Sequence, residues 1–315
     1  MARIGNGTPR ARTDGAAETR ENTLTGILMM LVAMAVIPAM DACAKYLSDH
    51  IGTLQLVWAR YFFHLMFLLP YVLYRYGRHA LRSARPGFQI LRGAMLFTST
   101  ALFFAAISLM PLADAIATVF IYPFIITALS PLVLGEAVGV RRWAAVAVGF
   151  VGALIVIRPA GDVVNPGVLL AAAAGSVYAC YVLSTRKLAG VDPPLVTLTF
   201  TGLVGALAAG ATLPFVWVTP DAADWPLMLV MGLCAAIGHF FLISAHERAT
   251  ASALAPFGYF EIVMATVLGF LVFGDFPGSL TWLGIAVIVA SGIYISVRER
   301  AHGRPAAERE PRQRI

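Results

Sequence analysis

The chain reads as an all-α membrane protein with ten transmembrane helices set out as two inverted five-helix repeats, and three observations lead there. Composition is the first: of 315 residues, 59% are hydrophobic and 13% charged, with a mean hydropathy of +0.78, whereas a soluble domain carries about 25% charged residues. The second is a series of ten apolar runs, each close to the roughly 20 residues that a helix needs to cross hydrocarbon. Self-similarity is the third. The passage from Met110 to Arg158 returns 139 positions later between Arg248 and Val297, laying Gly274 on Gly135, Asp275 on Glu136 and Trp282 on Trp143, while Arg186 falls on Lys45 at a shift of 141. Matches at a constant offset, each at the same place in the hydropathy pattern, argue for two homologous halves.

The first repeat, 24–157, holds predicted spans at 24–47, 53–74, 88–109, 112–134 and 141–157. The second, 166–297, holds spans at 166–185, 194–218, 226–246, 250–273 and 279–297. The span 141–157 is near the lower length limit, so its ends extend through Arg141 and Arg142, whose long side chains snorkel to the headgroups. Residues 1–23 and 298–315 are rich in Arg, Ala, Gly and Glu and lack an apolar face, the composition of disordered tails. The amino-terminal tail is polar and the first apolar run is long enough to stay as a helix, so no cleavable signal is expected.

Charge sets the orientation. With ten crossings, one side of the membrane receives both Arg-rich tails, the loop with Arg75, Arg78, Arg82 and Arg85, the pair Arg141 and Arg142, and Arg186 with Lys187. The positive-inside rule makes that side the cytoplasm and the membrane the cell (inner) membrane, with both termini cytoplasmic. The opposite face has little beyond Lys45 and Arg158, and its 219–225 loop carries Asp221 and Asp224. The net charge of +6 is therefore a topology signal. No nucleic-acid partner is implied; the expected partners are lipid and a small solute.

An odd number of helices per repeat obliges the two copies to enter the membrane upside down relative to each other. That is the geometry of alternating access around a site near the midplane, which favours a transporter over a channel or receptor.

The run Met110-Pro111-Leu112-Ala113-Asp114-Ala115, then Tyr122-Pro123 and Pro131-Leu132-Val133-Leu134-Gly135-Glu136, with a Gly-rich helix after Trp143, resembles the EamA repeat of the drug/metabolite transporter superfamily. The second half resembles it more loosely, through Ala249 to Pro256 and Phe273-Gly274-Asp275. The resemblance spans about residues 24 to 297. It implies ten helices in two inverted repeats around a central cavity, moving amino acids, nucleosides, vitamins or drugs. Met40-Asp41-Ala42-Cys43-Ala44-Lys45-Tyr46-Leu47 with Val57-Trp58-Ala59-Arg60-Tyr61-Phe62 looks more like the branch with riboflavin and S-adenosylmethionine carriers. Two positions depart from the family pattern. Asp275 replaces the second-half Glu, and Ile262 stands where the first half has Pro123, so Pro256 is expected to break the ninth helix instead.

Polar groups at membrane depth are where chemistry should be sought, because a charge at a helix centre costs roughly 2.5 to 3.5 kcal/mol on insertion scales. Glu261 lies midway along the ninth helix and, in the 139 register, opposite Tyr122. It reads as an amine ligand or proton-coupling carboxylate, or as a packing carboxyl. Arg60 and His64, spaced i, i+4, share a face of the second helix. Arg60 would hold an anionic group of the substrate or neutralise Glu261 or Asp41; His64 would bond a neighbouring helix. His239 aligns with Thr100 and either lines the cavity or ties helices together. Asp41 is spaced for a pair with Lys45, and Arg92 is placed to snorkel. Tyr178 and Tyr181, with Trp58 and Tyr61, are aromatic walls or interface anchors. Glu136 and Asp275, beside Gly135 and Gly274, read as helix terminators and gate contacts. Ala145, Gly149 and Ala153 have the small-xxx-small spacing of a close helix contact, within the chain or between two copies of a homodimer.

No catalytic, metal or cofactor site emerges. Cys43, Cys180 and Cys234 all fall inside predicted helices, and no HExxH, Walker or EF-hand sequence occurs. Val289-Ala290-Ser291-Gly292 lacks the first Gly of a membrane serine protease, and Phe273 breaks the Gly-x-Gly-Asp turn of an aspartyl one. The chain therefore reads as a secondary carrier, proton-coupled or working by exchange, with a drug or amino-acid exporter of the same fold as the alternative and an intramembrane enzyme as the remote one. Its solute is a small organic metabolite of the riboflavin, amino-acid or S-adenosylmethionine kind.

Overall fold

A computed structural model describes residues 10–135, 140–157, 165–188, 191–249, 254 and 257–302. Among them there is no strand; the helices are α1 (Arg10–Leu47), α2 (Thr53–Tyr76), α3 (Pro86–Ile107), α4 (Leu112–Val119), α5 (Tyr122–Leu134), α6 (Val140–Ile157), α7 (Pro166–Lys187), α8 (Pro194–Val216), α9 (Asp224–Arg248), α10 (Phe260–Phe273) and α11 (Ser279–His302). A short 3-10 turn, Gly77–Leu81, follows α2. Among the described residues seven stretches are long and apolar enough to cross a membrane, with shorter apolar runs at 147–156, 260–273 and 279–294. The chain is therefore a multi-pass helical membrane protein. At both ends helix runs past the apolar stretch, back to Arg10 and on to His302, through Ala-, Glu- and Arg-containing sequence that favours it.

The segment 112–134 is broken rather than continuous. Pro123 opens α5 one residue into its first turn; having no N–H, it leaves the Val119 carbonyl without its i+4 donor, and the chain turns at Phe120–Ile121. Gly175 of α7 fills the space, its backbone so near that an added Cβ would lie 2.6 Å from the Val119 oxygen. The second half breaks at Tyr259, the 139-register counterpart of Phe120, although Ile262 replaces the proline. Pro256 lies outside the described residues. The helices after each break end alike, on Gly135 and Gly274, both at φ +71, a left-handed cap that glycine adopts without strain.

The halves interleave. α1 packs on α9 and α10; α7 packs on α3, α4 and α5; α2 packs on α8 and α9, and α8 on α3. Exchanging each helix for its counterpart in the other half turns α1·α9 into α7·α3, α2·α9 into α8·α3 and α1·α10 into α7·α5, while α2·α8 and α6·α11 map onto themselves. The main buried core runs through α1, α2, α3, α4, α5 and α10, and includes Leu56, Phe104, Leu112, Phe124 and Ile262. The small residues of α6 serve contacts inside the chain: the Phe124 ring covers Gly149, and Gly152 abuts Gly284 of α11, where an added Cβ would lie 2.8 Å from the Gly152 carbonyl.

Candidate solute cavity between the two halves

Two arginines buried to more than nine-tenths define the interior, and they are held in opposite ways. Arg92, on α3, is saturated. Its Nε donates to Thr185 Oγ1 (2.6 Å), Nη1 to Thr201 Oγ1 (2.5 Å) and the Thr197 carbonyl (3.3 Å), and Nη2 to Tyr181 OH (2.7 Å), with the Tyr181 ring beneath the guanidinium. The expected snorkelling is thus replaced by a lock joining α3 to α7 and α8; the hydroxyls those helices supply satisfy the donors in place of headgroups.

Arg60, on α2, is held at one edge only. Nε donates to Met40 Sδ (3.2 Å), Nη1 to Thr100 Oγ1 (2.5 Å), and Tyr61, whose own hydroxyl meets Thr100, stacks on its charge. Neither proposed carboxylate partner pairs with it: the ion pairs among the described residues are Lys45–Asp275 and His50–Asp224. Asp41 feels the Arg60 charge, yet its Oδ1 is buried without a hydrogen bond. One helical turn from Arg60, His64 has a buried Nε2 with no partner and faces the His239 ring at 5.7 Å. His239 itself bonds the Ala235 carbonyl through Nδ1 (2.8 Å), which must carry the proton because a carbonyl only accepts. Arg60, Tyr61, His64, Thr201, Gly202 and His239 line one crevice with room for about one water molecule.

Glu261 begins α10 just past the break at Tyr259, half-buried, and makes no hydrogen bond or ion pair among the described residues. Its charge reaches Tyr122, Tyr178 and Asp41, so the structure gathers these four sequence-predicted residues. A file of rings runs beside them: Tyr259–Phe120 (5.3 Å), Phe120–Tyr122 (5.6 Å), Tyr122–Tyr178 (5.0 Å) and Tyr178–Tyr181 (5.5 Å), ending under Arg92. Trp58 is not in this wall. It stacks on Phe62 and meets Trp217, which touches Trp225, the cluster of an interfacial anchor.

The ends of the bundle are tied separately. Where α1 ends, Lys45 donates to the Met110 (2.8 Å) and Ile107 (3.2 Å) carbonyls and pairs with Asp275 (3.7 Å), so the expected intrahelical Asp41–Lys45 pair does not form. Gln55 nearby exchanges two hydrogen bonds with the Val218 backbone. At the other end Asp192 accepts from Ser83 Oγ, Gln89 Nε2 and the Ala84 N–H. Partial burial works to raise the Asp192 carboxyl, but these three donors outweigh it and hold the group below its ordinary range. Glu136 lies outside the described residues.

A helical bundle with buried cations, unpaired carboxyls and an aromatic file between two interleaved halves belongs to the class of membrane transport proteins. The model of the EamA-like transporter family matches residues 24–158 and again 165–297, and the chain belongs to that family. It is similar to the S-adenosylmethionine uptake transporter of Rickettsia prowazekii (strain Madrid E), 27% identical over 277 residues covering 88% of this chain and 94% of the relative. The riboflavin transporter of Vibrio cholerae is 30% identical over 292 residues, 90% of this chain and 97% of that one. A solved crystal structure of a protein, 21% identical, superimposes with a TM-score of 0.63 over 90% of this chain and 99% of its own, a likeness of fold.

Proposed function

We propose that the protein is a secondary carrier that moves a small organic metabolite across the inner membrane by alternating access of two inverted five-span repeats, with both termini cytoplasmic. The observation that carries this reading is the exchange symmetry of the helix packing around unpaired buried charge: two like halves, each broken at the same register, enclose Arg60, Asp41 and Glu261. Ion-free burial of such groups is costly in a membrane, and a solute or a coupling proton gives them a partner. Glu261 is the coupling or amine-binding carboxylate, Tyr122 and Tyr178 wall the path, and Lys45 with Asp275 closes one end. The named relatives support S-adenosylmethionine or riboflavin as the first solutes to test, with amino acids beside them.

The test is flux into liposomes holding the purified chain, under imposed pH gradients, with labelled S-adenosylmethionine, riboflavin and amino acids. Wild type should accumulate one of these, and Glu261→Gln and Glu261→Ala should abolish gradient-driven uptake. Undiminished uptake in both variants removes the role of Glu261; no movement of any solute in either direction sinks the carrier reading.

A further inference from the structure

Arg92 and Arg60 are buried alike, yet only Arg60 keeps an open donor edge. Among the described residues its Nη2 makes no hydrogen bond and no carboxylate pairs with it, and it borders a crevice. Into the same crevice come His64, whose Nε2 is buried and unpartnered, and His239, whose Nδ1–H is spent on Ala235 so that its Nε2 offers only a lone pair. Thr201 also lines the crevice, but its proton goes to the Thr197 carbonyl and its oxygen accepts from Arg92, so the open donors there are those of Arg60. A guanidinium fixed from behind by Thr100, Met40 and the Tyr61 ring presents a planar pair of donors, the shape that an oxyacid group fits bidentately. Leaving such a charge unmatched at membrane depth is costly; a ligand anion relieves it. The Arg60 charge is felt by Asp41, and Asp41 by Glu261, while neither acid lines the crevice, so the interior offers a cation-seeking and an anion-seeking pole.

We propose that Arg60, with His64 beside it, forms a subsite for an anionic oxyacid group of the solute, a carboxylate or a phosphate, with the solute's cationic or polar end turned toward Asp41 and Glu261. This rests on the carrier reading for its physiological meaning, but the subsite is a binding claim and is tested by binding.

The full-length protein in detergent is titrated with matched pairs that differ by the anion: methionine against 3-(methylthio)propylamine, S-adenosylmethionine against its decarboxylated form, and riboflavin 5′-phosphate against riboflavin. In at least one pair the anionic member should bind at least about tenfold more tightly, the size of a lost charge-assisted hydrogen bond. Arg60→Met should bring that ratio close to unity. Preference in the first two pairs assigns a carboxylate, and preference confined to the third a phosphate. Equal binding in every pair overturns the subsite, as does an Arg60→Met protein that keeps the preference. If Arg60→Met does not fold, the wild-type pairs still decide, and His64→Leu, which removes no existing hydrogen bond of Nε2, should weaken the preference. Solutes that bind with the preference but never cross would sink the carrier reading and leave the subsite standing. Solutes that cross without preference would do the reverse.

Discussion

Phe120 and Tyr259, counterparts in the two halves, meet with ring centroids 5.3 Å apart, each at the break of its own helix. Residues that are equivalent under an exchange of halves can touch only near the axis of that exchange. The two interrupted helices therefore face each other at the middle of the molecule, and Glu261 and Tyr122, two residues beyond their respective breaks, fall beside the same interior.

Arg92 and Arg60 should separate by stability. Arg92→Met removes four donated hydrogen bonds and leaves Thr185, Thr201 and Tyr181 short of a partner, a loss of several kcal/mol at about 1–3 kcal/mol per stranded buried group. Arg60→Met removes two and discharges an unpaired cation, so its melting temperature in detergent should fall much less. Equal losses would contradict the contrast.

Lys45 and Asp275 should not be equivalent partners. Their 3.7 Å contact is one-third exposed on the Asp275 side, so Asp275→Asn should cost less than about 1 kcal/mol. Lys45→Met also strands the Met110 and Ile107 carbonyls and should cost more, about 1–3 kcal/mol. Thermal unfolding of both variants decides the order.

The break in the first half depends on two residues. Gly175→Ala forces a methyl to 2.6 Å from the Val119 oxygen and should destabilise by about 1–3 kcal/mol through overpacking against backbone. Pro123→Ala restores an N–H that Val119 can accept, so it should preserve or raise stability while slowing solute flux. Flux rising in Pro123→Ala would show that the break is incidental.

Asp192 gives the acid dependence a sign. Its carboxyl is depressed below the ordinary range, so the stability it confers is present above the unfolded pKa and fades as pH falls through the folded one. Asp192→Asn should melt below wild type near neutrality, and the two curves should converge on acidification. Parallel curves from pH 7 downward would mean that the Ser83 and Gln89 contacts carry no weight.

Much of this could be read from residues, and the failures have physical causes. Hydropathy located the seven long apolar spans of the described residues, and the Gly135/Gly274 register the two matching helix ends, because apolar length and a left-handed cap are local properties. The break at Phe120 was signalled by Pro123; its counterpart at Tyr259 carries no such mark. Arg92 finds its partners on α7 and α8, whose apolar residues mark no single face, and periodicity then cannot say which side looks inward. Arg60 and Asp41 are buried in the bundle, but that a threonine and a thioether are chosen by Arg60 over a carboxylate depends on neighbouring helices. Lys45 left Asp41 for two carbonyls at the end of α3, partners that no spacing within one helix announces.

The duplicated frame has kept its geometry and lost its chemical parity. Thr100 receives Arg60, while its counterpart His239 lies against another imidazole; Arg60 itself has Thr201 in its place across the repeat. A corridor built from twin walls is thus painted differently on each side, and a traveller with two unlike ends has only one comfortable way to stand in it.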